Sequence, residues 1–228
     1  MKSNAIGLTL CMLTASFCSG SEFKASFTPG GWNADDWVMV KSWRWPYRGQ
    51  WIQGKDFIVN AVPQDASPQD LEHRRVGETY TSMVLNRVIE SDSTVSCTMD
   101  FDYRMAPGLI IAEEPTETGQ GPEYRNHYEI ILFDGGINVW HHYFEDGKQK
   151  WVKKAFLNTL FKAKTPYELI VKTQFTARGP QMTLQVGEHI FGFHDHNIPR
   201  RYRVGIVASE GVNRFYYFKA ATPAPDAK

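Results

Sequence analysis

The chain has 228 residues, with 25 basic against 25 acidic side chains and an apolar fraction of 42%. Balanced charge at that apolar content excludes a disordered or collagen-like chain, and neutrality argues against the basic field of a dedicated nucleic-acid binder. The length suits one ordinary domain with a substantial core, while 14% aromatic residues (7 Trp, 10 Tyr and 14 Phe) is high for so average a composition.

The opening, Met1-Lys2-Ser3-Asn4, places a cation before the apolar run from Ala5 to Ala15 and the small residues Cys18-Ser19-Gly20. This order predicts a secretory signal over residues 1–20 and a secreted or periplasmic protein. The run is shorter than the roughly 20 residues a membrane-spanning helix needs. Retention as an uncleaved anchor and lipidation of Cys18 are the alternatives, and the bulky Phe17 argues against the second. Lys2 is the only charged residue removed, so processing leaves a net charge of −1. It also leaves Cys97 without a partner for an internal disulfide. Cys97 lies in phase with Val95 and Met99, which favours a buried, inert thiol over a nucleophile. The absence of any Asn-x-Ser/Thr acceptor favours a bacterial source.

Short β segments are predicted at 37–40, 51–52, 57–59 and 81–85, with a short helix at 68–73 capped by Ser67 between the last two. Residues 94–105 alternate, with Val95, Cys97, Met99, Phe101 and Tyr103 on one face and Asp100, Asp102 and Arg104 on the other. Residues 127–133 and 137–144 form a hairpin about Asp134-Gly135-Gly136, and Glu145-Asp146-Gly147-Lys148 turns the chain into a strand at 151–155. A second short helix is predicted at 156–162, followed by strands at 167–175, 181–186, 202–208 and 215–220. The pattern predicts an all-β, two-sheet antiparallel jelly-roll sandwich spanning residues 21–220, with a loose tail at 221–228.

Asp100 and Asp102 stand two residues apart on one strand face, with backbone separation of roughly 6.6 Å. That suits acid/base work on a glycoside, which takes carboxyls about 5–9.5 Å apart; a solvated face paired to Arg104 is the alternative. His127 and Glu129 share a face of the next strand. If the two strands adjoin, Glu129, His127, Asp100, Asp102 and Arg104 form one polar patch; otherwise Glu129 pairs with Arg104 or Arg125. His194-Asp195-His196 lacks a third ligand and sits beside Asn197, Pro199, Arg200 and Arg201, so it reads as a surface loop; His141 and His142 face opposite ways. No metal site is predicted. Of the tryptophans crowding residues 32–51, most are assigned to the core, and Trp43, Trp45 and Trp140 are kept as platforms for sugar rings. No serine-hydrolase elbow, phosphate loop, His-Glu-x-x-His or Cys-x-x-Cys occurs.

Ser82-Met83-Val84-Leu85, Met99-Asp100-Phe101-Asp102-Tyr103-Arg104, Tyr128-Glu129 through Phe133-Asp134, Val204-Gly205-Ile206-Val207-Ala208 and Phe215-Tyr216-Tyr217-Phe218 occur in that order. This layout resembles the concanavalin A-like lectin/glucanase superfamily, and within it the 3-keto-disaccharide hydrolase domain, a laminin-G-like sandwich. Tyr103-Arg104, Tyr128-Glu129 and Gly205 are similar to that family's strand ends and glycine strand. Ala106-Pro107-Gly108-Leu109 replaces the family's Asn-Ser-Gly segment, where a ligand loop would lie. The resemblance implies a secreted domain that binds carbohydrate or polysaccharide on a concave polar sheet face with aromatic platforms. Its alternatives are a glycoside hydrolase or lyase, with Glu129 and Asp102 or Asp100 as the acid/base pair and Arg104 holding substrate, and an interaction domain without a sugar site. A structural calcium is implied by resemblance only, with no ligands assigned.

Overall fold

The computed structural model describes residues 20–45, 47–62, 79–102 and 105–224. The expected leader (Gly20 apart), the expected helix at 68–73 and Arg104 lie outside the described residues. Four strands come first: β1 (Glu22–Ser26), β2 (Trp37–Met39), β3 (Trp51–Gln53) and β4 (Ile58–Asn60). After them run β5 (Tyr80–Leu85), β6 (Ser93–Phe101) and β7 (Met105–Ala112), then the small pair β8 (Thr116–Thr118) and β9 (Gly121–Glu123). One meander comprises β10 (His127–Phe133), β11 (Gly136–Glu145) and β12 (Lys148–Asn158); a second comprises β13 (Tyr167–Thr176), β14 (Gly179–Val186) and β15 (His189–His194). The last two strands are β16 (Arg203–Ser209) and β17 (Asn213–Ala221).

These strands build two large sheets. The eight-stranded sheet has the order β15-β14-β13-β6-β17-β4-β3, with β1 also on β17; the seven-stranded sheet has the order β12-β11-β10-β7-β16-β5-β2. The ladders between these strands are antiparallel, as the two-sheet expectation requires. Alternation puts Val95, Cys97, Met99 and Phe101 of β6 into the core between the sheets, against Tyr128, Ile130 and Leu132 of β10 and Val204 and Ile206 of β16. Burying each large apolar side chain there contributes about 1.5–3 kcal/mol. Cys97 is a buried free thiol whose pKa burial pushes well up, so it is inert, as its phase suggests. The Glu145–Lys148 connection is a two-residue turn in which Asp146 (φ 51°) and Gly147 (φ 72°) are both left-handed, the geometry that matches the twist of a hairpin.

Three sequence expectations are corrected. Residues 94–105 do not form one strand: β6 ends at Phe101 in the eight-stranded sheet and the chain re-enters the other sheet as β7. Ala106-Pro107-Gly108-Leu109, expected where a ligand loop would lie, is part of the central strand of the seven-stranded sheet. Pro107 is tolerated because the β7–β10 ladder is irregular beside it, passing from Ile131↔Gly108 to Phe133↔Met105. In place of the expected helix at 156–162, residues 156–158 end β12, where Phe156, Leu157 and Asn158 pair with Asn138, Ile137 and Gly136, and residues 159–162 leave the sheet without forming a helix. A helix this short cannot offset its own nucleation cost, whereas the ladder and the burial of Phe161, whose N–H donates to Asp134 O at 3.0 Å, reward the extended path.

Candidate functional site

The alternation that sends Tyr128, Ile130 and Leu132 inward turns His127, Glu129 and Ile131 onto the outer face of the seven-stranded sheet. On β11, His142 is the direct cross-strand partner of His127, and Trp140 is the partner of Glu129. The segment from Lys41 to Trp45 is laid across this face. A parallel bridge and a buried ion pair join Lys41 to Glu123, and Tyr124 N donates to Lys41 O at 3.2 Å. Ser42 then turns the chain: its carbonyl accepts from Trp45 N at 3.0 Å and its hydroxyl from Arg44 N at 3.3 Å. Trp45 packs on a second apolar cluster containing Val40, Tyr80, Tyr124 and Ile131, which leaves Arg44 directed at Glu129.

Glu129 is 3% exposed and sits at the centre of a polar cluster. Arg44 Nη2 donates to its two oxygens at 3.3 and 3.4 Å, and the Tyr80 hydroxyl donates to Oε1 at 3.1 Å. His127 Nε2 also donates to Oε1, at 3.2 Å, and His142 Nε2 lies 3.4 Å from Oε2. Burial alone would raise the Glu129 carboxyl, but His142, Arg44 and His127 outweigh it and hold the group well below the usual carboxylate range. Burial lowers His127 to about 4, against the raising effect of its bond to Glu129, so its ring is neutral at pH 7. The Tyr80 phenol is pushed well up by burial and then by the Glu129 charge. Glu129 is therefore a fixed acceptor at neutral pH and has no proton to give as a general acid.

Beside it opens a cleft of about 430 Å³, lined by Glu129, Arg44, His142, Trp140, Trp151 and Lys153 among others. Trp151 is 58% exposed and leans on Trp43, with ring centroids 5.9 Å apart. Lys153 lies over Trp140 at 5.0 Å, occupying one face of that ring. Buried polar atoms without a partner gather on this side of the sheet: Trp43 Nε1, Trp45 Nε1, His127 Nδ1, both ring nitrogens of His142, and Asn138 Oδ1. Among the described residues, His127, Glu129 and His142 are also the group whose donor atoms, all within 4.8 Å of one another, have the composition and spacing to hold a metal ion.

The sequence-derived residues divide between the two sheets. Glu129, His127, Trp140, Trp43 and Trp45 meet on the outer face of the seven-stranded sheet. Because the segment turns at Ser42, the two indoles there find different neighbours: Trp43 packs on His142, Phe144 and Trp151, and Trp45 on the cluster of Val40, Tyr80 and Tyr124. Asp100 lies on β6 of the other sheet and Asp102 just past the end of that strand, so the anticipated patch with Glu129 is not assembled. Their partner there is Arg214 of β17, which donates to Asp100 at 3.0 Å and to both Asp102 oxygens at 2.7 and 3.1 Å; Tyr216 donates to Asp100 at 2.7 Å. This is a cross-strand latch, Asp100 being the register partner of Arg214. Arg214→Ala is expected to cost about 1–2 kcal/mol in urea unfolding, because it leaves the buried Asp100 short of a donor. A stability equal to that of the parent chain would show the latch to be idle.

Asp195, read in sequence as part of a surface loop, is buried: it accepts from the Tyr128 hydroxyl at 2.7 Å and pairs with Lys154 at 2.9 Å, while His194 and His196 are exposed. Sequence reasoning missed Arg44, Tyr80, His142 and Trp151 as site residues. Arg44 had a signal, a lone cation between two tryptophans, whereas Tyr80 and His142 reach Glu129 only through strand pairing.

No protein-family model and no curated protein sequence matches the chain. Solved structures do. The carbohydrate-binding module CBM66 from Bacillus subtilis aligns with a TM-score of 0.53 at 14% identity, over 81% of this chain and 94% of the module. Winged bean acidic lectin, complexed with methyl-α-D-galactose, aligns at 0.59 and 7% identity over 91% of this chain and all of the lectin (100%). The exoplasmic/lumenal domain of VIP36, in a Ca²⁺/Man2-bound form, aligns at 0.54 and 8% identity over 90% and 89%. Such identities establish architecture and not chemistry. By strand order, sheet pairing and these neighbours, the chain folds as the concanavalin A-like jelly-roll sandwich that lectins and carbohydrate-binding modules share.

Proposed function

We propose that the protein is an exported carbohydrate-binding domain that takes a neutral saccharide in the cleft between Arg44, Glu129, Trp140 and Trp151. The observation that carries the reading is the pairing of an ionised carboxylate–guanidinium couple at the floor with an exposed indole at the wall. Hydroxyls both donate and accept, so Glu129 and Arg44 offer the two complementary partners, while the flat face of Trp151 covers the apolar face of a sugar ring. The volume lies within the roughly 300–1,000 Å³ of small-ligand sites. Arg44 and Lys153 balance Glu129 and Glu210 along the lining, which favours an uncharged sugar over a polyanion. The neighbours named for carbohydrate binding lend the fold-level analogy, and the Lys2-led apolar segment supplies the export signal. The kinship with 3-keto-disaccharide hydrolase domains belongs to the same proposal.

The test is a panel of neutral and acidic polysaccharides read by affinity electrophoresis and calorimetry, with released reducing ends and unsaturated products measured in parallel. Binding to a neutral glycan that weakens about tenfold or more in both Arg44→Ala and Trp151→Ala is the expected result. Undiminished binding in both variants, or retention by acidic glycans alone, would move the site elsewhere. Turnover by the parent chain that disappears in Glu129→Gln would replace the binding reading with an enzymatic one.

A further inference from the structure

We propose that His127, Glu129 and His142 form a binding site for a divalent transition-metal ion of the zinc type, with an open coordination position facing the cleft. His127 and His142 are register partners on adjacent strands, and Glu129 is two residues along β10 on the same face, so the ladder itself brings an imidazole to each side of one carboxylate. The spacing is that of a coordination shell. His127 Nε2 stands 3.2 Å from Oε1 and His142 Nε2 stands 3.4 Å from Oε2. An ion with bonds of about 2.0–2.1 Å holds neighbouring donors about 3.0–3.4 Å apart.

The second observation is the state of His142. Its ring is 2% exposed and its Nε2, 3.4 Å from Glu129 Oε2, makes no well-aligned hydrogen bond, which leaves a buried nitrogen that coordination would satisfy. The two rings are stacked, 4.8 Å between centroids and 10° between planes, so taking up one ion requires both rings to swing toward one another until their Nε2 lone pairs converge. Two imidazoles and a carboxylate leave a fourth position, and since Glu129 and His142 both line the cleft, that position opens toward its contents. Imidazole donors select zinc, cobalt, nickel or copper over calcium and magnesium, which prefer all-oxygen shells. Arg44 opposes the ion, because its guanidinium touches the same carboxylate; its side chain is 30% exposed and carried on the Lys41–Trp45 segment, so it can withdraw toward solvent when a second cation arrives.

Metal binding is measured without sugar, so it stands or falls apart from the carbohydrate reading. The chelator-stripped chain is titrated with Zn²⁺ by calorimetry and with Co²⁺ by visible absorption, which reports low-coordinate nitrogen ligation directly. A single equivalent is expected, with affinity falling about tenfold or more in Glu129→Gln and in His142→Asn, and rising in Arg44→Ala. The opposite direction of the Arg44→Ala effect on sugar separates the two proposals. Near-ultraviolet dichroism identifies folded variants, and Arg44→Ala keeps all three donors should either of the others unfold. Zinc binding of unchanged strength in a folded Glu129→Gln variant would overturn the site and assign the ion to the exposed His189, His194 or His196. A Co²⁺ spectrum that stays that of the hydrated ion in the parent chain and in Arg44→Ala would overturn it outright.

Discussion

Gly205→Ala is expected to lower the stability of the chain by about 3 kcal/mol, with a fall in Tm of roughly 6–12 °C for a domain of this size. Gly205 lies on β16, paired with Val84 of β5 on one side and Ile110 of β7 on the other. A Cβ at this position would meet Met83 O at 2.0 Å and the Val84 Cα at 2.6 Å. Both are backbone atoms of a central ladder, so no rotamer change relieves the clash and the sheet itself has to move. Gly119→Ala is the control, since a Cβ there meets nothing within 4 Å, and its midpoint is expected to stay close to that of the parent. Equal thermal midpoints for the two variants would show that β16 yields more readily than its packing implies.

The second large effect is acid sensitivity. The unfolded imidazole of His127 takes up its proton near 6.5, while the folded one resists protonation down to about 4, first because it is buried and then because His142 and Arg44 lie close by. Between those values the unfolded chain binds the extra proton, so stability is complete above about 6.5 and declines as the pH falls toward 4. The amount is about 3 kcal/mol for a shift of this size. Glu129 acts in the same direction at lower pH. Its folded pKa is depressed, so the stabilisation it contributes is present above its unfolded value of 4.5 and is lost as the pH falls toward the folded one. Urea unfolding at intervals from pH 7 to 4, in chelator, is expected to show this decline, and His127→Gln, whose amide keeps a donor toward Glu129, is expected to flatten it. Parallel pH profiles for parent and variant would mean that His127 does not carry the dependence.

Much of the fold was legible residue by residue. The two-residue repeat of Val95, Cys97, Met99 and Phe101 reports a strand with one buried face, and Asp146-Gly147 reports a tight hairpin, because both are local properties of backbone stereochemistry. β7 was illegible for a local reason too: Pro107 and Gly108 are turn residues by propensity, and only the irregular ladder with β10 and the close approach of Ile130 O, 2.4 Å from a Cβ at Gly108, make them fit a central strand. The end of β12 was misread because short windows cannot show that β11 supplies a partner for Phe156, Leu157 and Asn158.

The site was legible in its parts and not in its assembly. Composition, alternation and turn chemistry by themselves determined an all-β two-sheet sandwich, a buried inert Cys97, and Glu129 with His127 on a shared strand face. The tertiary structure alone decided which charges meet. Arg44 reaches Glu129 across 85 residues of sequence, and Asp100 answers to Arg214 across 114. Such pairings depend on strand order within a sheet and on which of two sheets a strand joins. Those are settled by loop closure and core packing summed over the whole chain, and no local window of sequence contains them.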